Sequence, residues 1–189
     1  MKSNCEERPS VQQLLSMKRG SDIGYGELLL TKEWCIKRNE IIKRDGRRCQ
    51  KCQKEETIFL ERGLHAKLKW SNEWDPIQGL IPEPILEKAD EQIVLHVHHT
   101  LYILDKLPWE YKDDDLITLC HSCHDELHRS GKAVPVYSTT GDLLAQISPC
   151  VRCNGSGYLN QYSHVQGGIC FNCRGRRYNR DIITSFRKE

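Results

Sequence analysis

Eight of the ten cysteines fall into four Cys-x-x-Cys pairs, at 49/52, 120/123, 150/153 and 170/173. Thiols spaced this way sit on one tight turn, and two such turns brought together supply the four thiolates of a closed tetrahedral zinc site. A thioredoxin-like redox pair has the same spacing, but four copies would be an excess, and a disulfide framework belongs to small secreted chains. The first ten residues, MKSNCEERPS, lack the apolar run of a signal peptide. The chain is therefore expected in a reducing cytoplasm and away from membranes, its paired thiols free for metal. Metal also answers a deficit. Apolar residues make up 38% of the 189, against about 45–50% in ordinary globular domains, so burial alone is thin. Cys5 and Cys35 are left over, and Cys35, beside Trp34 on a helix, reads as an inert buried thiol.

Charge is informative only locally. The formal net charge is +2, but residues 31–55 carry nine Lys/Arg against four Asp/Glu, and residues 148–189 carry seven against two. Residues 56–130 hold seven against fifteen. Two basic segments, each built around cysteine pairs, flank an acidic, histidine-rich middle, and this clustering points to nucleic-acid contact. Lys43, Arg44, Arg47 and Arg48 in the first segment, and Arg174, Arg176 and Arg177 in the last, are the candidate phosphate contacts.

The pattern divides the chain into an extension (1–30), a main domain (31–132), a linker or hairpin (133–148) and a small unit (149–189). In the extension a short helix at Val11–Met17 precedes a loop broken by Gly20, Gly24 and Gly26. Thr31 can cap a helix whose stripe is Trp34, Ile41 and Ile42, and Asp45-Gly46 ends it just before Cys49. Thr57–Leu60 reads as a short strand and Leu64–Trp70 as another strand or a helical turn, after which Pro76, Pro82 and Pro84 interrupt regular elements, so that residues 61–90 read as an insertion inside the domain. Ile93–His99 (IVLHVHH) and Leu116–Leu119 (LITL) read as partner strands, and a helix is expected to open at Cys123 and to end at Gly131. Further strands are expected at Ala133–Tyr137 and Leu143–Ile147.

Cys49, Cys52, Cys120 and Cys123, with 67 residues between the pairs, are the ligands of a first structural zinc, closed to substrate. The histidines are a separate set. His124 and His128, four apart, share one helix face, while His98 and His99 end a strand. Imidazoles converging from a strand and a helix make an open metal site with one left over as a base. His96 and His121 read as ordinary surface or core residues, and Trp109 and Tyr111 as loop packing.

These residues carry a resemblance. HVHHT, then Asp115-Leu116-Ile117-Thr118-Leu119-Cys120, then Cys123-His124-x-x-x-His128 resemble an HNH nuclease with the ββα-metal fold, of the zinc-stapled kind. The approach RNEIIKRDGRRCQKC and the PWEY segment are similar to small bacterial and phage HNH proteins, and the match spans roughly residues 31–130. The resemblance implies a small α+β, zinc-stabilised fold and a DNA endonuclease that nicks or cuts phosphodiester bonds. It makes His98 and His124 ligands of one divalent ion, Mg2+ or Mn2+ or another transition metal such as Zn2+ or Ni2+. His128 would be a further ligand or a phosphate contact, and His99 the general base. Asp115 stands where the family has Asn. It can accept the same hydrogen bond but cannot donate one, and it could orient His99 as a carboxylate. Proteins of this kind serve in phage packaging, mobile elements and phage defence, alone, as homodimers or with a protein partner. A non-catalytic zinc-stapled adaptor for nucleic acid or protein is the rival reading.

CVRCNGSG at 150–157 and CFNCRGRR at 170–177 form an internal repeat, Cys-x-x-Cys-x-Gly-x-Gly, with Arg177 in place of the last Gly. The repeat resembles half of a DnaJ-type zinc finger. Its four cysteines, Cys150, Cys153, Cys170 and Cys173, are expected to form a zinc-ribbon-like unit around a second structural zinc.

Overall fold

The computed structural model describes residues 5–17, 23–60, 64–70, 73–75, 79–81, 84–130, 132–162, 164–165, 168–180 and 182–183. The fold is a small α+β arrangement in which helix α3 (Lys32–Arg44) and helix α4 (His121–Arg129) lie against a pair of strands, β6 (Leu95–His99) and β8 (Leu116–Cys120). Helix α3 starts where its cap allows: the Thr31 hydroxyl accepts from the Trp34 N–H at 3.5 Å. Trp34, Ile41 and Ile42 are buried along its inner face. It stops at Asp45, and Gly46 takes a positive φ of 65° that turns the chain toward Cys49.

β6 and β8 pair antiparallel, with His98 opposite Ile117 and His99 opposite Leu116. Because side chains alternate along a strand, Leu95, Val97 and His99 face α3 while His96 and His98 face α4. The Gln50 N–H donates to the Thr118 carbonyl at 2.8 Å, tying the first cysteine turn to β8. α4 begins at His121, capped by Cys120, two residues before the expected start at Cys123. Gly131 and Gly20 lie outside the described residues.

The segments expected to stand apart share the main core. Helix α1 (Val11–Met17) is where it was predicted, but the loop after it contains a second short helix, α2 (Tyr25–Leu28), and Ile23, Tyr25 and Leu28 are buried with Trp34 and Leu95. Residues 133–148 form a hairpin, β9 (Val134–Tyr137) and β10 (Leu143–Ile147), extended by parallel pairing of β9 with β7 (Tyr102–Ile103). Tyr178, Ile182 and Ile183 of the last segment belong to the same core. The hydroxyls of Tyr102 and Tyr178 meet at 2.8 Å, and the Asp105 N–H donates to the Ile182 carbonyl.

Strands form at both places expected around the start of the insertion, within Thr57–Leu60 and Leu64–Trp70, and the described residues beyond them add strands that the prolines argue against. β1 (Ile58–Phe59) pairs with β2 (His65–Trp70), which pairs along its length with β5 (Pro84–Ala89), and β3 (Glu73–Asp75) pairs with β4 (Gly79–Ile81) beyond them. Pro84 does not interrupt the sheet because it occupies a strand's first residue, a place where its missing N–H does little harm; Pro76 and Pro82 lie outside the described residues. Among the described residues no helix is long and apolar enough to cross a membrane.

Cys35 is buried, but it is no inert thiol: it forms a disulfide with Cys5. The bond pins the start of the chain to α3, an arrangement the reading of a wholly reduced chain did not foresee. Alkylation of the denatured, chelated protein should label eight cysteines without reductant and ten with it, counted by mass. Ten labels without reductant would show the bond is not formed.

Candidate metal centres and active-site cleft

Two four-cysteine clusters are assembled, Cys49/Cys52/Cys120/Cys123 and Cys150/Cys153/Cys170/Cys173. Their geometry can be tested against zinc. A tetrahedron with bonds of about 2.3 Å has sulfur–sulfur edges of roughly 3.8 Å. Cys52 and Cys120 are 3.6 Å apart, Cys153 and Cys173 3.7 Å, and Cys150 and Cys170 3.9 Å. Four thiolates this close need a cation. Burial, then the thiols of Cys120 and Cys52, push Cys123 up to about 12, and burial pushes Cys173 up to about 12 as well. Against its burial, Cys49 is held down at about 6 by the backbone N–H groups of Cys52 and Cys120. Both clusters are thus compatible with two structural zinc ions.

A third group is formed by imidazoles. His98 comes from β6, and His124 and His128 from successive turns of α4, with ligand atoms that all lie within 4.8 Å of one another. The Nε2 atoms of His124 and His128 are 3.1 Å apart, close to the edge of roughly 3.3 Å expected for two nitrogens on one tetrahedral ion with bonds of about 2.0 Å. Burial lowers all three, His98 to about 3, His124 to about 2 and His128 to about 4, with the charge of Arg177 and the neighbouring imidazoles adding to the effect. Each is therefore neutral near pH 7, the form that ligates metal. With three protein donors and no fourth among the described residues, the set leaves a coordination position open.

Two of the trio, His98 and His124, line a cleft of about 860 Å³ running along β6 between α3 and α4, and His99 lines it too. Arg8, Arg38, Lys43, Arg47 and Arg177 line it, with Glu56 as the single carboxylate among the lining residues. Arg38 reaches the strand itself, donating to the Leu95 carbonyl at 2.5 Å. His96 also lines the cleft and stacks on His124, ring centroids 5.1 Å apart, so it belongs to this site and is no incidental surface residue. His121 sits at the start of α4, its Nε2 3.2 Å from the Ser122 hydroxyl.

His99 is not part of the trio. It points to the opposite face of β6, is 3% exposed, and is stacked on Trp34 on one side and Tyr102 on the other. Its Nε2–H donates to the Pro108 carbonyl at 3.0 Å, and the Tyr25 hydroxyl lies 3.2 Å from Nδ1. Burial holds it neutral, with a pKa lowered to about 4. Asp115 does not orient it. The backbone of Asp115 does the structural work there, its carbonyl accepting from both the N–H and the hydroxyl of Thr100, while Pro108 and Tyr25 hold the imidazole.

The candidate phosphate contacts divide in the same way. Lys43, Arg47 and Arg177 line the cleft, Arg47 in an ion pair with Glu56. Arg44 is instead a brace: it pairs with Asp45 and donates to the carbonyls of Asp113 and Leu116. Arg48 pairs with Glu55 at 3.0 Å, Arg176 bonds the Cys173 carbonyl, and Arg174 is exposed at a positive φ of 50°. Arg38 was legible in part, since it lies four residues after Trp34 and so on the same helix face. Tyr25 carried no signal, because only the folded core brings it to His99 from 74 residues away.

The second cysteine cluster abuts the trio through Gly155. At φ 76°, a Cβ there would stand 2.9 Å from His128 Nδ1. Gly155→Ala should therefore cost about 1–3 kcal/mol from the left-handed backbone alone, measured by denaturant unfolding. An unchanged midpoint would contradict both the left-handed backbone at Gly155 and its close approach to His128.

Comparison of the chain with protein families, curated proteins and solved structures finds no match.

Proposed function

We propose that the chain is a metal-dependent endonuclease of the HNH kind that hydrolyses phosphodiester bonds in DNA. The observation that carries this reading is the convergence of His98, His124 and His128 beside a cleft that His98 and His124 line and whose other charges are nearly all positive. An adjacent strand pair and helix supply the three imidazoles, in the order the resemblance requires. A divalent ion held there would withdraw charge from the phosphate oxygens as it builds in the transition state. Three imidazoles without a carboxylate suit a transition ion such as Zn2+ or Ni2+ better than Mg2+, which prefers oxygen donors.

The remaining work falls to the chain's own residues. Lys43 holds a backbone phosphate along the cleft, a contact that sets affinity without reading sequence, and Arg47 joins it by exchanging Glu56 for phosphate. His99, the proton acceptor by resemblance, commits its Nε2–H to Pro108, so Nδ1, which faces the Tyr25 hydroxyl, is its one nitrogen able to accept a proton.

One observation favours a second reading, a non-catalytic adaptor that uses the same cleft. His99 is satisfied without substrate, with Tyr25 over Nδ1 and aromatic rings on both faces. Conversion of supercoiled plasmid to the nicked form separates the two. The nuclease reading expects metal-dependent nicking that chelation stops, and the adaptor reading expects DNA retention without any nick.

A further inference from the structure

The second cysteine unit departs from its own repeat at one place, and that place faces the imidazoles. Gly157 ends the first copy at φ 78°, and Arg177 ends the second at φ 75°. An arginine held in the left-handed region carries a backbone cost that glycine does not. Its side chain lies along Gly157, whose Cβ would stand 3.0 Å from Arg177 Cγ, and its Nε–H donates to the Gly155 carbonyl at 2.8 Å. Gly155 is the residue that abuts His128. The guanidinium thus reaches the wall of the cleft that His96, His98 and His124 also line. Among the described residues no carboxylate pairs with it, and its two terminal nitrogens have no hydrogen-bond partner. A strained backbone and a half-buried, unpaired positive charge are two costs at one residue, and an anion in the cleft offsets the second.

We propose that Arg177 is a catalytic residue whose terminal guanidinium nitrogens bind the non-bridging oxygens of the phosphate under attack, so that the second cysteine unit completes the active site. The proposal rests on the nuclease reading and adds to it a requirement for the C-terminal unit. In the reaction one water is consumed. Its oxygen bonds to phosphorus, the bond from phosphorus to the 3′ oxygen breaks, one proton passes to an imidazole base and on to solvent, and the 3′ oxygen takes up a proton as it leaves. The extra negative charge of the transition state sits on the oxygens that a planar guanidinium grips in pairs.

The decisive variant is Arg177→Gly, because glycine suits φ 75° and restores the repeat. Its single-turnover rate on plasmid should fall about 10²–10³-fold, while its thermal midpoint stays equal or rises and its zinc content is unchanged. Its affinity for a short mixed-sequence duplex, measured by anisotropy without added divalent ion, should weaken up to about tenfold for one lost charged contact. Arg177→Lys should retain part of the rate, since it keeps the charge but loses the paired grip. A rate within about threefold of wild type, well under one lost donor's effect, overturns the proposal. A slow variant with a lowered midpoint overturns it too, by making the side chain structural. If the wild type cleaves nothing, the nuclease reading itself fails. The duplex affinities still decide on Arg177, and equal values remove its phosphate contact.

Discussion

Cys120→Ser should abolish cooperative folding. Cys120 ends β8 and caps α4, and its sulfur lies 3.6 Å from that of Cys52, so one cluster joins the turn after α3 to the elements carrying the histidines. A four-cysteine zinc contributes apparent binding energies of about 10–16 kcal/mol at neutral pH, whereas whole domains are stable by about 5–15 kcal/mol. Loss of one thiolate therefore removes an amount comparable to the entire stability. The expected observations are about one zinc per chain instead of two, loss of the sharp thermal transition, and the same outcome for wild type under a strong chelator. Cys170→Ser should release the other zinc. Among the described residues Leu159 is the one hydrophobic side chain packed against that cluster, so its local order depends still more on metal. A Cys120→Ser protein that melts like wild type would mean the cluster is not a staple.

His124→Ala should have the second large effect, on activity and not on folding. The residue is half-buried on α4, and its ring contacts are with His96, His98 and His128, all of the same site. Removing it deletes one of three donors and should slow cleavage roughly 10³-fold, about 4 kcal/mol of transition-state stabilisation. Thermal unfolding and zinc in the two cysteine clusters should be unchanged. His99→Ala cannot make that separation, because the His99 ring is packed between Trp34 and Tyr102 in the core.

Much of the site was legible because its signals are local. Cysteine pairs announce their turns, Thr31 and Asp45-Gly46 bracket a helix, and the spacing of His124 and His128 places both on one face. What the sequence withheld depends on contacts between distant segments. Strict alternation along β6 already implied that His98 and His99 face opposite ways, yet only the aromatic pocket made by Trp34, Tyr102 and Tyr25 shows what His99 meets there. The domain boundaries were hidden for the same reason. Tyr25 and Tyr178 look like residues of two peripheral segments, and they meet in one core through Tyr102. Proline content concealed the β2–β5 pairing, since a strand's first position tolerates the residue that its interior rejects.

The most direct test of the central claim is a plasmid-nicking time course with Zn2+, Ni2+, Mn2+ and Mg2+ in turn, run in parallel on the folded, zinc-replete wild type and on His124→Ala. The account predicts nicking by the wild type with at least one transition ion, none after chelation of that ion, and a rate roughly 10³-fold lower for the variant. Equal cutting by the two proteins, or no cutting with any ion, would contradict it.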